Sequence, residues 1–490
     1  MSIELMVDGP AWAASGLDES AGLYPLRVES AVSRLVERLL PGIITTTTGT
    51  RYFALHALAW ADAANRRLDA DAAAEFVRRC EVVMAAASLA HGTGAGHVRR
   101  VPSAHGEERL PMFIEGGVLD LAAAAAPGGY SKGGFAGTYE AAERTMRLIS
   151  AGSPPSRGAR ADIAALRAGL GDVVSLARED SLSEQALAAS THLCPCQAAD
   201  AADGAWLRKV MLEQADPEVE GDRNRQVAAR LMIDALDGDP QSDVERAFRL
   251  AHGFGPPLDG PDAMALRSWR AAILRNYSVT AWRNLWRWLS QELAGEAMTE
   301  NQLADRLADE IGSSSVSQLL DDLPSRTTGD ELLPAEEHVR NEPDDQVPQR
   351  SLRQLALGAR RLDDLDAETR VAFLGGERDD LGPDWVAHQL EQHTDRADLA
   401  RDLVHVMLRR ARRVALSKMQ LNAEGQPYVP TRLRDRDGLL TMVGEESAGE
   451  VSLRGWTLAQ VLCGLGVLDR DESNVASVTD LGRELCDQLR

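Results

Sequence analysis

The chain has 490 residues, of which 44% are apolar and 26% charged, and carries a formal net charge of −22. That length divides into about two to four domains, and the apolar content suffices for packed cores, which excludes a wholly disordered chain. The acidity excludes nucleic-acid binding over the whole surface, because phosphates are repelled, and leaves only a local basic patch for it.

Aromatics make up only 4% of the residues, while alanine, leucine and arginine are plentiful. Alanine loses no side-chain entropy in a helix, and leucine and arginine lose little, so the composition favours helices. No stretch approaches the ~18 uninterrupted apolar residues of a membrane span. The first residues, MSIELMVDGP, lack a basic region followed by an apolar core, so no signal peptide is expected. Five cysteines (Cys80, Cys194, Cys196, Cys463, Cys486) are odd in number and mostly far apart, which fits a reducing cytoplasm.

In chain order, positions 28–40 place Val32, Leu35, Val36, Leu39 and Leu40 on one helical stripe. Pro41-Gly42 ends that helix, and the β-branched run 43–48 prefers extended backbone. Thr50 is then expected to cap a helix whose apolar stripe is Phe53, Ala57, Trp60 and Ala61. Arg51 in its first turn opposes the helix dipole and so calls for a carboxylate or phosphate partner. One reading is a clamp between helices. The other is a polar ligand site of Thr48, Arg51 and Tyr52, with Lys132 from a distant glycine-rich stretch. His56, on the same helix, reads as a packed histidine.

A second helix covers 69–90. Two glycine clusters follow, HGTGAGHVRR at 91–100 and PGGYSKGGF at 127–135. Glycine lets backbone N–H groups approach an anion, but neither cluster has phosphate-loop spacing. A proline-rich seam lies at 151–160. His192-Leu193-Cys194-Pro195-Cys196 gathers metal-ligating types, making His192, Cys194 and Cys196 the only local metal candidates. A single residue between the cysteines and the lack of a second pair argue against a structural metal, so none is expected and no cofactor is assigned. His91, His97 and His105 complete a set only if the fold brings them near. No nucleophile elbow, metalloprotease or kinase signature is present, so no catalytic residue is assigned.

The stretch 252–262 reads as a loop, and 264–293 as a long helix with Trp269, Ile273, Tyr277, Trp282, Leu285, Trp286 and Leu289 at helical spacing. Thr299 and Gln302 form a capping-box pattern. Four prolines and many acids at 321–350 read as a linker or extended surface loop. Within 401–418, His405, Arg409, Arg412 and Arg413 form a basic stripe. They either contact phosphates or pair with acids of 363–398. The stretch 455–489 reads as helix, glycine turn, strand, polar loop, strand and helix. Its Gly466-Val467-Leu468 step and following hairpin resemble the end of a winged-helix domain, although the helix at 457–465 carries no arginine for groove reading.

Pro41, Gly42, Thr48, Arg51, Tyr52 and Trp60 together resemble the N-terminal pattern of uncharacterised bacterial helical proteins that accompany nucleic-acid enzymes in phage-defence gene clusters. The resemblance implies a companion role and supplies no catalytic residue. The expectation is a mainly α protein of several helical bundles: an N-terminal domain at 1–150, a central one at 160–320, an acidic linker at 321–350, and a C-terminal domain at 351–490 with a winged-helix-like α+β module at about 425–490. The leading functional reading is a non-catalytic cytoplasmic adaptor or regulator. Its partners would be proteins of a larger complex, with nucleic acid indirect and no membrane. Alternatives are an enzyme with an unfamiliar site in the first 200 residues, and DNA binding through Arg409, Arg412 and Arg413.

Overall fold

The computed structural model describes residues 24–489 except 95, 98–100, 240–242, 255–259, 261, 326, 329–332, 376–379, 422–424, 426, 445 and 472–474. The first ten residues, and parts of the 91–100, 252–262, 321–350 and 455–489 stretches, lie outside the described residues. Helix takes 64% of the chain and strand 8%, so helix-on-helix burial builds the cores and the mainly α expectation holds. Among the described residues no helix is long and apolar enough to cross a membrane.

The chain packs as two compact units, each discontinuous in sequence. One comprises 1–35 and 256–451, the other 36–255 and 452–490. Both expected seams fall inside a unit. The first is pinned by backbone pairing, Ser150 N–H to Ser156 C=O at 2.9 Å and Gly158 N–H to Leu148 C=O at 3.1 Å. The second carries a helix, Ala335–Arg340, in place of a solvated linker. Its Glu336 and Glu337 are buried. Arg361 holds both oxygens of Glu336 at 2.6 and 2.8 Å, and Tyr277 donates to Glu337. Two of the acids that suggested solvation, Glu336 and Glu337, therefore serve as internal ion-pair partners, while Asp321, Asp322 and Asp345 are exposed.

In the unit of 1–35 and 256–451, the helix Ala263–Gly295 is the spine, with Trp269, Trp282 and Trp286 buried in the core. It packs against Val347–Arg360 and Ala367–Leu374, while Arg396–Ser417 lies along Glu300–Ile311. The latter begins with the expected Thr299/Gln302 capping box. Strands Leu433–Arg436 and Leu439–Met442 pair antiparallel, and the second also pairs with Met298–Thr299. Residues 425–451 thus belong here, apart from the chain that follows them.

In the other unit the helix Arg51–Asn65 is buried on every side, every residue from Arg51 to Ala63 being inaccessible. Its alanines leave room for neighbours all round, which suits a fully enclosed helix. Ala70–Thr93, Ala136–Thr145, Ile163–Leu176 and Ala202–Arg208 surround it. A small antiparallel sheet of Ile114–Glu115, Val118–Asp120 and Ser181–Ser183 lies outside the expected elements. The chain after 452 forms the helix Gly455–Gly464, a hairpin of Leu468–Arg470 with Ala476–Val478, and the helix Asp480–Leu489. This order of helices and strands matches the reading of 455–489, and the Thr479 hydroxyl accepts from Gly482 N–H at 3.0 Å at the start of the last helix.

Candidate metal centre

The entry to the Arg51 helix explains the threonine run. Gly42 sits at φ +77°, and a Cβ there would meet Met146 at 2.6 Å, so glycine is required where the preceding helix, Ser30–Leu39, is left behind. Thr47 folds its hydroxyl back onto Ile44 C=O at 2.9 Å. Thr50 stands at the helix start but does not cap it. Its backbone is already helical, and its hydroxyl reaches Val461 C=O at 3.5 Å.

Arg51 is fully enclosed, and its partners are all protein groups. Nε and Nη2 reach Asp203 at 2.9 and 3.0 Å, Nη1 donates to the carbonyls of His192 and Cys194 at 2.7 and 2.8 Å, and Nη2 also reaches Gly169 C=O at 3.3 Å. A guanidinium has five N–H donors, and these bonds engage all of them. These contacts are those of the clamp reading, with Arg51 engaged inside the chain and not offered to a ligand. Arg51 has no donor left, the Tyr52 hydroxyl accepts from His105 N–H at 2.9 Å, and Lys132 is exposed.

Two of the carbonyls that Arg51 grips belong to the cysteine segment. Cys194 lies between two short helical turns, Thr191–Leu193 and Pro195–Asp200. Pro195 starts the second turn, where a missing N–H costs nothing. Both sulfurs face inward and are buried, 3.2 Å apart. The imidazoles that join them come from a segment about a hundred residues earlier. His91, on the last turn of Ala70–Thr93, places Nδ1 3.3 Å from Cys196 Sγ. His97 places Nδ1 3.4 Å from Cys194 Sγ. The four donor atoms all lie within 4.8 Å of one another.

Glycines bring His97 back. Gly96 occupies the left-handed region at φ +78°, and its N–H donates to His91 C=O at 3.0 Å. At Gly92 a Cβ would meet His97 Nε2 at 2.9 Å, so only glycine lets that ring lie over the helix end. Ser88, one turn before His91, sets its hydroxyl 3.7 Å from Cys194 Sγ. The neighbouring Cys196 thiol, and then burial, push the Cys194 thiol well above its ordinary range.

Of the expected metal candidates, Cys194 and Cys196 belong to this cluster and His192 does not. His192 is exposed and pairs with Asp172 at 3.2 Å, because the turn that buries Leu193, Cys194 and Cys196 leaves it on the outside. His105 is also elsewhere: its Nε2 meets Tyr139 Oη at 2.9 Å and its ring stacks on Phe135. The condition set for the distant histidines is met by His91 and His97, because Ala70–Thr93 carries His91 in its last turn and the chain folds back at Gly96, and it is not met by His105.

The second glycine cluster does receive an anion, and it is the protein's own. Phe135 N–H and Ala136 N–H donate to Glu81 at 2.9 and 2.8 Å, and Tyr130 O–H donates to it at 2.5 Å. At Gly134, φ +82°, a Cβ would meet Glu81 Oε2 at 2.8 Å. Glu81 in turn contacts His56 Nε2 at 3.1 Å, and Glu143 contacts His56 Nδ1 at 2.6 Å. Burial opposes charge on His56, but Glu143 and Glu81 outweigh it and raise its pKa to about 10. Burial raises Glu143, with His56 partly countering it. This network is buried and fastens three helices.

In the other unit the basic stripe is largely neutralised. Arg412 pairs with Glu300 at 2.9 Å and Asp435 at 3.1 Å, Arg413 with Asp380 at 2.6 Å, and His405 with Glu300 at 2.8 Å. Only part of this pairing uses the 363–398 segment; Glu300 and Asp435 come from outside it. Arg409 is exposed.

Comparison with models of protein families, with curated proteins and with solved structures finds no match.

Proposed function

We propose that the chain is a non-catalytic helical subunit that works through protein contacts within a larger bacterial assembly, of the nucleic-acid-processing or phage-defence kind that its N-terminal pattern suggests. The observation that carries this reading is Arg51. The residue that most suggested a reactive or ligand-binding centre has all its donors engaged within the chain. Glu81, His56 and Glu143 are likewise engaged with one another in an enclosed core. Groups committed in this way hold helices together and are not free to meet a substrate.

The helix–hairpin–helix of 455–489 supports the winged-helix-like part of the reading. Such a module serves protein contacts as readily as DNA. Its first helix has buried residues from Thr457 to Gly464, which leaves little of it to enter a groove.

The test is isolation of the tagged chain from its native host at endogenous level, followed by native mass spectrometry. The expected result is a complex of fixed stoichiometry with products of adjacent genes, lost on deletion of those genes. Recovery as a lone chain under gentle extraction would overturn the reading.

A further inference from the structure

The structure assigns a zinc site: we propose that His91, His97, Cys194 and Cys196 bind one zinc ion in a closed tetrahedral shell, both histidines ligating through Nδ1. The inference is independent of the proposed subunit role and holds whatever the chain's partners are.

The donor set fits in number, type and size. Two thiolates and two imidazoles are the usual complement of a structural zinc. With Zn–S of about 2.3 Å and Zn–N of about 2.0–2.1 Å, a tetrahedron sets its donors about 3.3–3.8 Å apart. The three close separations here are 3.2, 3.3 and 3.4 Å, and no pair exceeds 4.8 Å.

Other ions fit less well. Magnesium and calcium take oxygen ligands, and none is in the set. A two-iron cluster with paired cysteines and histidines divides its ligands between two irons, whereas these four atoms all lie within 4.8 Å of one another. Mixed sulfur and nitrogen donors in tetrahedral array select zinc among common divalent ions.

The surroundings are built to hold the ligands before an ion arrives. Arg51 fixes the carbonyls of His192 and Cys194, and Arg208 fixes that of Ala199 at 2.6 Å, so the cysteine segment is anchored at both ends. The Ser88 hydroxyl is placed to donate to a Cys194 thiolate. His91, Cys194 and Cys196 are buried while His97 is exposed. His97 therefore closes the shell last and is the side from which the ion enters. The ion would join the end of the Ala70–Thr93 helix to a segment roughly a hundred residues downstream, which is the role of a structural clasp.

The test uses the full chain, purified without chelator or metal-affinity resin, with metal measured by plasma mass spectrometry. About one equivalent of zinc is expected. Cobalt(II) exchanged into the site should show tetrahedral d–d absorption with thiolate charge transfer. His97→Ala lies on an exposed turn and leaves the core intact, so it should fold with an unchanged circular dichroism spectrum and bind zinc at least about 10-fold more weakly; Ser88→Ala should lose about 10–100-fold. His192→Ala should keep full occupancy. The proposal fails if the parent chain holds less than about a tenth of an equivalent and takes up no cobalt. It also fails if folded His97→Ala binds zinc as tightly as the parent, or if His192→Ala loses the metal.

Discussion

Arg51 and Asp203 face each other fork to fork, with Nε to Oδ2 at 2.9 Å and Nη2 to Oδ1 at 3.0 Å, both side chains wholly enclosed. The pair joins the first turn of the central helix to the first turn of Ala202–Arg208. Two parallel N–H donors meeting two carboxylate oxygens need a planar guanidinium. Arg51→Lys should therefore not be conservative. The three N–H donors of lysine cannot serve the two Asp203 oxygens and three carbonyls that Arg51 holds, and a stability loss of about 3–5 kcal/mol is expected in denaturant titration. Because the same arginine anchors the cysteine segment, zinc affinity should fall with it.

Gly169 gives a prediction whose sign opposes the usual rule. It lies inside the helix Ile163–Leu176, where alanine ordinarily adds about 1 kcal/mol over glycine. Here a Cβ would stand 2.0 Å from Asp203 Oδ1 and 2.8 Å from Asp203 N. Gly169→Ala should lower the melting temperature by displacing the carboxylate that Arg51 holds. Gly171→Ala, two positions on in the same helix, would meet only Arg167 at 3.9 Å and should be neutral or stabilising. Thermal unfolding of the two variants side by side checks the contrast.

The His56 network sets an alkaline limit. A histidine raised from 6.5 to about 10 contributes stability that is fully present below pH 6.5 and is lost as pH rises through about 10. Burial raises Glu143 while His56 partly counters it, so its own contribution begins to fall above the ordinary 4.5, before the His56 window opens. The loss across this window should be on the order of a few kcal/mol. Denaturant midpoints between pH 6.5 and 10 should fall in the parent and change less in His56→Gln. A flat parent profile would remove the network from the stability of this unit.

Charge reversal on the basic stripe tests the nucleic-acid alternative. Arg413 is paired with Asp380, and Arg412 with Glu300 and Asp435. Fluorescence anisotropy with duplex DNA at low salt should show no steep salt-dependent binding, and the Arg412→Glu/Arg413→Glu double variant should change that little. Strong binding that weakens with salt and vanishes in the double variant would reinstate DNA as a direct partner.

The helices were legible where periodicity or capping was strong. The stripes of 28–40 and 264–293 and the Thr299 box appear as read, because each is written within one turn or two of chain. Arg51 was legible as an anomaly, since a cation at a helix start needs an anion, but Asp203 could not be named from 152 residues away. The metal donors were individually visible and collectively hidden. Nothing local to His91 or His97 signals that the end of a helix of 24 residues, and the turn after it, meet Cys194 and Cys196. The acids of 321–350 misled because composition reports solvation only on average. Glu336 owes its burial to Arg361, whose position no pattern in that segment reveals.

The Thr50 hydroxyl meets the carbonyl of Val461, 411 residues further on, and Gly464 lies so close to Thr50 that a Cβ would stand 2.5 Å from its oxygen. During synthesis the early half of this unit must therefore wait, exposed, while the whole of 256–451 leaves the ribosome. A nonsense codon near position 452 would spare every proposed zinc ligand and still strip the cover from the residue beside Arg51. Late truncations should consequently surface as aggregation or proteolysis of the early half.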